Sequence, residues 1–171
     1  NATSACPYIY PVSAPPGGWP VAIVQHGITR NRSDALAMSD SFADACFIVA
    51  AIDLPLHGLT DTTSPLYCAP TLPQCIGATE RTFNVDLVNN SNAASAVPDR
   101  KTDAPGPRFI NLASPLTTRD NLRQSEADLI QLTKSVQTLA IPPVTLPPGV
   151  TAGPIGVDAT RVSFVGLSLG A

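Results

Sequence analysis

Gly166-Leu167-Ser168-Leu169-Gly170 sets a serine between two glycines, each two positions away. That spacing suits a sharp strand-to-helix turn, because side chains at the flanking positions would collide with neighbouring backbone while the serine hydroxyl projects outward. The pentapeptide follows Arg161-Val162-Ser163-Phe164-Val165, a β-favouring apolar run, so a strand is predicted to feed directly into the turn. Ser168 is then a candidate nucleophile for acyl transfer, attacking a carbonyl carbon while a general base takes its proton. The plainer alternative is a tight glycine turn carrying an inert serine.

Two further segments carry chemistry. His26-Gly27-Ile28 directly follows the apolar run Val21-Ala22-Ile23-Val24. A loop there can give one backbone N–H to a developing oxyanion, and the residue after the nucleophile gives the other. The candidate donors are Ile28 and Leu169, and losing one such donor typically costs ~10²–10³ in rate. His26 is expected to shape this loop by hydrogen bonding rather than to act as the base. Asp53-Leu54-Pro55-Leu56-His57-Gly58 follows the second apolar run. Asp53 and His57 invite assignment as catalytic acid and base, but with a serine presented in this way the acid and base come later in the chain. Both are therefore read as loop-fixing residues, with Gly27, Gly166 and Gly170 as supporting glycines.

The elements that must position these residues alternate. Val21–Val24 and Phe47–Ile52 are continuously apolar, as expected of strands buried on both faces. Between them, Ser33 is the expected N-cap of a helix with Asp34 in its first turn, and Leu36, Phe42, Ala43 and Cys46 share one face. Strand, helix, strand in this order predicts a parallel pair. Residues 54–118 are dense in Pro, Asn, Ser and Thr, a lid-like or loop excursion in which Arg81–Leu87 alternates like a strand. Leu122, Leu129, Ile130, Leu132, Val136 and Leu139 predict an amphipathic helix over about 119–140, ended by Pro142 and Pro143. Residues 142–160 read as a Pro/Gly-rich connector, and residues 1–20 as irregular with a short strand at Tyr8-Ile9-Tyr10. Arg119, Asp120, Arg123 and Gln124 read as a solvated helix start, the sharper alternative being arginines paired with loop carboxylates such as Asp53.

Composition narrows the function classes. The chain has 171 residues, 44 % hydrophobic and 13 % charged, about half the charged share of an average domain. A net charge of −3 gives no electrostatic footprint for nucleic acid. The longest apolar stretch, Phe47–Ile52, is far short of a membrane span. Of the four cysteines, Cys68 and Cys75 flank a short loop and are the disulfide candidates, against the alternative of free thiols. Cysteines with low charge and 18 prolines favour an exported protein. No Cys-x-x-Cys or His pair suggests a metal, and the Asp99/Asp103 spacing does not match a calcium loop, so solvated carboxylates are expected there. Asn1-Ala2-Thr3, Asn31-Arg32-Ser33 and Asn89-Asn90-Ser91 match glycosylation sequons.

Val24-Gln25-His26-Gly27-Ile28-Thr29, Ala51-Ile52-Asp53-Leu54-Pro55-Leu56-His57-Gly58, Arg119-Asp120-Asn121-Leu122-Arg123-Gln124 and Gly166-Leu167-Ser168-Leu169-Gly170 occur in that order. Together with Arg81–Asp86 and Phe109–Leu112, they resemble the bacterial extracellular or virulence-factor lipase family, which includes surface lysophospholipases. The resemblance covers residues 20–171; the serine turn is common to all α/β-hydrolases, and the Arg-Asp-Asn-Leu-Arg-Gln run is more specific. Cys46 departs from it, standing where a glycine is common. The resemblance implies an α/β-hydrolase fold with a mostly parallel sheet and flanking helices, here the N-terminal half of the domain. It implies a serine esterase acting on acyl-glycerol or lysophospholipid esters, with no cofactor, secreted or at the bacterial cell surface and in peripheral contact with a membrane surface. The triad acid and histidine are expected beyond Ala171, so residues 1–171 alone are expected to hydrolyse esters negligibly. They are also expected to expose an apolar sheet edge that favours aggregation. The rival readings are a non-catalytic interaction domain on a hydrolase-like core and another serine acyl-transfer enzyme, an acyltransferase or peptidase.

Overall fold

A computed structural model describes residues 5–8, 14–75, 77–92, 94–141, 145–146, 150–151 and 155–171. The architecture is of the α/β class, a small, mostly parallel sheet accompanied by helices. The chain divides into two compact units, one of residues 1–24, 35–51 and 127–165 and the other of residues 25–34, 52–126 and 166–171.

The first unit holds the sheet. Its strands are β1 (Trp19–Gln25), β2 (Ile48–Ala50), β3 (Ala140–Ile141) and β6 (Ile155–Gly166), in the order β2-β1-β6-β3. β1 and β2 pair in parallel, Val21 opposite Ile48 and Ile23 opposite Ala50, and α1 (Leu36–Asp44) lies between them in sequence. The parallel pair expected from strand, helix, strand is thus present. Every residue of β1 is buried, which is why its sequence reads as one apolar run rather than an alternation. Val21, Ile23 and Val136 form the core, with Ile48, Ala50, Leu129, Leu132, Val157 and Val162 packed against them. Leu129, Leu132 and Val136 belong to α2 (Pro115–Gln137), where steps of three and four residues bring them onto one face.

Several sequence expectations shift. The second strand is three residues, not six. Ser33 does not cap α1: it lies in a 3₁₀ turn, Arg32–Ala35, and its hydroxyl donates to Asn31 Oδ1 at 2.6 Å. A short polar side chain satisfied by a neighbouring loop is lost to the helix end. Leu36 and Ala43 are exposed, so the expected apolar face of α1 is only partly used. α2 begins four residues earlier than predicted because Ser114 starts it, its carbonyl accepting the Thr117 and Thr118 N–H groups. Pro115 at the first position has no N–H to leave orphaned. Leu122, Ile130 and Leu139, counted on its buried face, are exposed.

The 142–160 connector contains regular structure: β4 (Thr145–Leu146) and β5 (Val150–Thr151) pair antiparallel, and β6 already begins at Ile155, where it pairs antiparallel with β3. The short strand expected at Tyr8–Tyr10 lies in part outside the described residues. Both cysteine pairs are bridged, Cys6 with Cys46 as well as Cys68 with Cys75. No helix among the described residues is long and apolar enough to cross a membrane.

The second unit is built of turns. Residues 81–84 are turns, not a strand, and Phe83 and Asn84 both take left-handed backbone (φ 53°) that a strand excludes. Carboxylates organise this unit. Asp86 accepts the Asp99 and Arg100 N–H groups, Asp99 those of Asn90 and Lys101, and Asp103 that of Leu87. Asp103 is buried, so the solvated carboxylates expected here are in part backbone caps. No group of side chains suited to a metal ion occurs among the described residues.

Candidate active site

All the candidate site residues, from His26 to Gly170, belong to the second unit. β6 stops at Gly166, and the Leu167 N–H donates to Gln25 O at 3.0 Å. Leu167 is still extended (φ −116°, ψ 120°), but Ser168 turns to φ 55° and opens a 3₁₀ turn, Ser168–Gly170. A left-handed serine is strained, and the strain is held by close packing on both sides. A β-carbon on Gly166 would overlap Gly170 O, and one on Gly170 would stand 2.6 Å from His26 O and 2.7 Å from Gln25 O. Ser168 itself is exposed.

Gly27 brings the second segment against the serine. Its would-be β-carbon lies 3.1 Å from Ser168 Cβ and 3.7 Å from Ser168 Oγ. The loop then turns back, Arg30 N–H donating to Gly27 O at 3.2 Å, with Thr29 left-handed at φ 62°. The N–H groups of Ile28 and Leu169 make no hydrogen bond among the described residues. An unpartnered amide thus follows each side of the Gly27–Ser168 contact, Ile28 next to Gly27 and Leu169 next to Ser168.

The two histidines are the only ones in the sequence, and both are committed to backbone. His26 Nδ1 donates to Gly27 O at 2.7 Å and Nε2 accepts the Leu54 N–H at 3.1 Å. His57 Nδ1 donates to Pro55 O at 2.9 Å and Nε2 accepts the Thr29 N–H at 3.1 Å. An imidazole whose Nε2 accepts from an amide is neutral, protonated at Nδ1. Burial pushes the His57 pKa below its ordinary value, with His26 nearby adding to the effect and the Pro55 carbonyl and Asp53 opposing it. Neither ring hydrogen-bonds Ser168 among the described residues, so both act here as loop fasteners.

Asp53 is buried and ion-paired to Arg32, not to the arginines of α2; its Oδ1 also accepts the Arg32 N–H at 2.6 Å. Arg32 reaches on to Glu80 with both terminal nitrogens at 2.7 Å. Glu80 in turn accepts the Leu59 N–H at 3.0 Å and the Cys68 N–H at 2.8 Å, which ties the Cys68–Cys75 loop to the cluster. Burial alone would raise the Glu80 pKa, but Arg32 and the two amides outweigh it and hold the carboxyl below its usual range. The Arg32 pKa is raised, mainly by its hydrogen bonds to Glu80. Arg119 pairs with its exposed neighbour Asp120, solvated as expected but one turn inside α2 rather than at its start.

Sequence reasoning gave no role to Glu80, Arg32 or Gly106. The one available signal was Glu80 itself, the first charged residue after Asp61. Comparisons with protein-family models, curated proteins and solved structures find no match to this chain.

Proposed function

We propose that the chain carries the nucleophile and oxyanion loop of an α/β-hydrolase that cleaves carboxylic esters, acyl-glycerols or lysophospholipids, through an acyl-enzyme on Ser168. The observation that carries this reading is the left-handed Ser168 at the end of β6, exposed and backed by Gly27, beside the unpartnered N–H groups of Ile28 and Leu169. Ser168 Oγ attacks the ester carbonyl carbon and loses its proton to a base. The two amides bind the resulting oxyanion, its collapse expels the alcohol, and water then releases the acid. With His26 and His57 both holding loops, the base comes from outside residues 1–171, and the resemblance in motifs puts its acid partner there too. No step of this chemistry calls for a metal or organic cofactor. The resemblance in motifs favours a lipid ester at a membrane surface, and two disulfides fit an exported protein.

The committed histidines also favour a second reading, a binding domain that keeps a hydrolase-like core without catalysis. Turnover of p-nitrophenyl butyrate separates the two. The esterase reading expects negligible hydrolysis by residues 1–171, and hydrolysis that Ser168→Ala abolishes in a longer natural polypeptide carrying them. A longer polypeptide with no activity toward any acyl ester sinks the esterase reading and leaves the binding domain. An acyl-acceptor panel, water against alcohols and amines, separates esterase from acyltransferase or peptidase.

A further inference from the structure

The two histidines face each other across two loops in a reciprocal arrangement. His26 sits in the first loop and accepts an amide of the second, Leu54 N–H; His57 sits in the second and accepts an amide of the first, Thr29 N–H. Each ring is oriented by its Nδ1–H on a carbonyl of its own loop, and the ring centroids are 4.9 Å apart. Phe109, fully buried, closes over His57 edge-on at 5.3 Å. Gly106, left-handed at φ 88°, fills the remaining side: a β-carbon there would stand 2.6 Å from Thr29 N and 2.7 Å from His57 Nε2. No side chain but hydrogen fits between that hydrogen bond and the Gly106 backbone.

We infer that His26 and His57 form a proton-sensitive clasp that positions the Gly27–Thr29 loop, and that protonating His57 releases the loop. The catalytic consequence rests on reading that loop as an oxyanion loop; the clasp itself does not. A proton on Nε2 turns the acceptor of the Thr29 N–H into a second donor, so the contact becomes donor against donor. Thr29 is left-handed, a conformation that costs a non-glycine residue energy and persists only while its surroundings impose it. Once its acceptor is lost, the loop relaxes, and the Ile28 N–H moves with it.

The charged groups around the clasp set its response. From the first loop, His57 faces His26, and a charge there disfavours one on His57. On its own loop Asp53 lies 3.7 Å from His26 Nε2, but its carboxylate is committed to Arg32, and Arg32 to Glu80. From the 106–109 segment, Gly106 and Phe109 carry no titratable group against the ring, and Arg108 lies toward Asp103 at 4.0 Å. The clasp is therefore closed at neutral pH and opens as His57 charges, at a pH below the ordinary histidine range.

Hydrogen exchange read by mass spectrometry on the 171-residue chain tests this without turnover. Amide exchange, corrected for intrinsic rates, gives the protection of Thr29; exchange of the imidazole carbon-bound hydrogen gives the titration of each histidine. As pH is lowered from 7.5 through the range in which His57 titrates, Thr29 protection is expected to fall on the order of tenfold in step with His57 protonation, while Val21–Val24 stay protected. His57→Gln offers an amide oxygen in place of Nε2 and is expected to keep Thr29 protected across the range. Thr29 protection that stays constant while His57 titrates overturns the clasp. So does protection lost only together with Val21–Val24, or an unchanged acid loss in His57→Gln. Those outcomes leave the esterase reading standing, whereas an inert Ser168 in the longer polypeptide would remove that reading and leave the clasp.

Discussion

Replacing Arg32 by methionine removes one guanidinium from between two carboxylates, Asp53 and Glu80, that are 3 % and 6 % exposed. Methionine keeps much of the aliphatic stem, so the loss is chiefly electrostatic. Among the described residues Asp53 has no other side-chain partner of full charge, and Glu80 retains the Leu59 and Cys68 N–H groups. Breaking a buried pair by removing one member costs ~3–5 kcal/mol. The retained amides and the 26 % exposure of the Arg32 side chain put this case near the lower end, ~3 kcal/mol.

The pH dependence is more diagnostic than the size. In the wild type the Glu80 pKa lies below its ordinary 4.5, so the carboxylate contributes stability that is present above 4.5 and lost as pH falls through the folded value. Without Arg32, burial is opposed only by the two amides, and the folded pKa rises. The charged carboxylate then contributes less stability than in the wild type, so the variant falls further behind as pH rises and the carboxyl ionises. Urea unfolding followed by circular dichroism at steps from pH 4 to 7.5 should show the variant's deficit growing with pH, and Arg32→Lys recovering part of it. A deficit under ~0.5 kcal/mol, or one that shrinks as pH rises, would refute the cluster as a structural hub.

Other substitutions probe the same frame. Gly170→Ala forces a β-carbon against the Gln25 and His26 carbonyls and should destabilise by ~1–3 kcal/mol; an unchanged urea midpoint would mean the serine turn is not packed there. Phe109→Ala empties a fully buried site against His57 and should cost ~3–5 kcal/mol, with faster exchange at Thr29 as its local mark. Cys6–Cys46 spans 40 residues and Cys68–Cys75 spans 7, so loop entropy makes loss of the longer link costlier by roughly 1.5 kcal/mol. Paired Cys→Ser variants compared by thermal unfolding check that order.

What could be read in the sequence was local. The continuous apolar run marked β1, because a strand buried on both faces leaves no alternation; the run at 47–52 also marked a strand, but β2 is only half-buried. The glycine spacing marked the turn at Ser168, because steric exclusion acts over two residues. Long-range pairing left no such trace. Glu80 meets Arg32 across 48 positions and Cys6 meets Cys46 across 40, and nothing in either residue's neighbourhood specifies the partner. Asp53 stood out in the sequence, yet its partner came from the 3₁₀ turn before α1 rather than from the arginines of α2. Arg81–Leu87 looked like a strand because its residues alternate, but Thr82 takes the Asn84 and Val85 N–H groups and the Asp103 carboxylate takes that of Leu87, better partners than an unpaired edge would offer. Half of the apolar positions expected on the buried face of α2 proved exposed, since periodicity marks a stripe but not how wide a stripe the sheet covers.

The central claim is that Ser168 is a nucleophile whose base lies outside residues 1–171. Labelling with a fluorophosphonate, read as a mass adduct on the peptide containing Ser168, tests it most directly. A longer natural polypeptide carrying these residues should take up the label at Ser168 and lose it in Ser168→Ala, while the 171-residue chain stays unlabelled. No adduct on the longer polypeptide would contradict the nucleophile, and equal labelling of the 171-residue chain would contradict the external base and return His57 to that role.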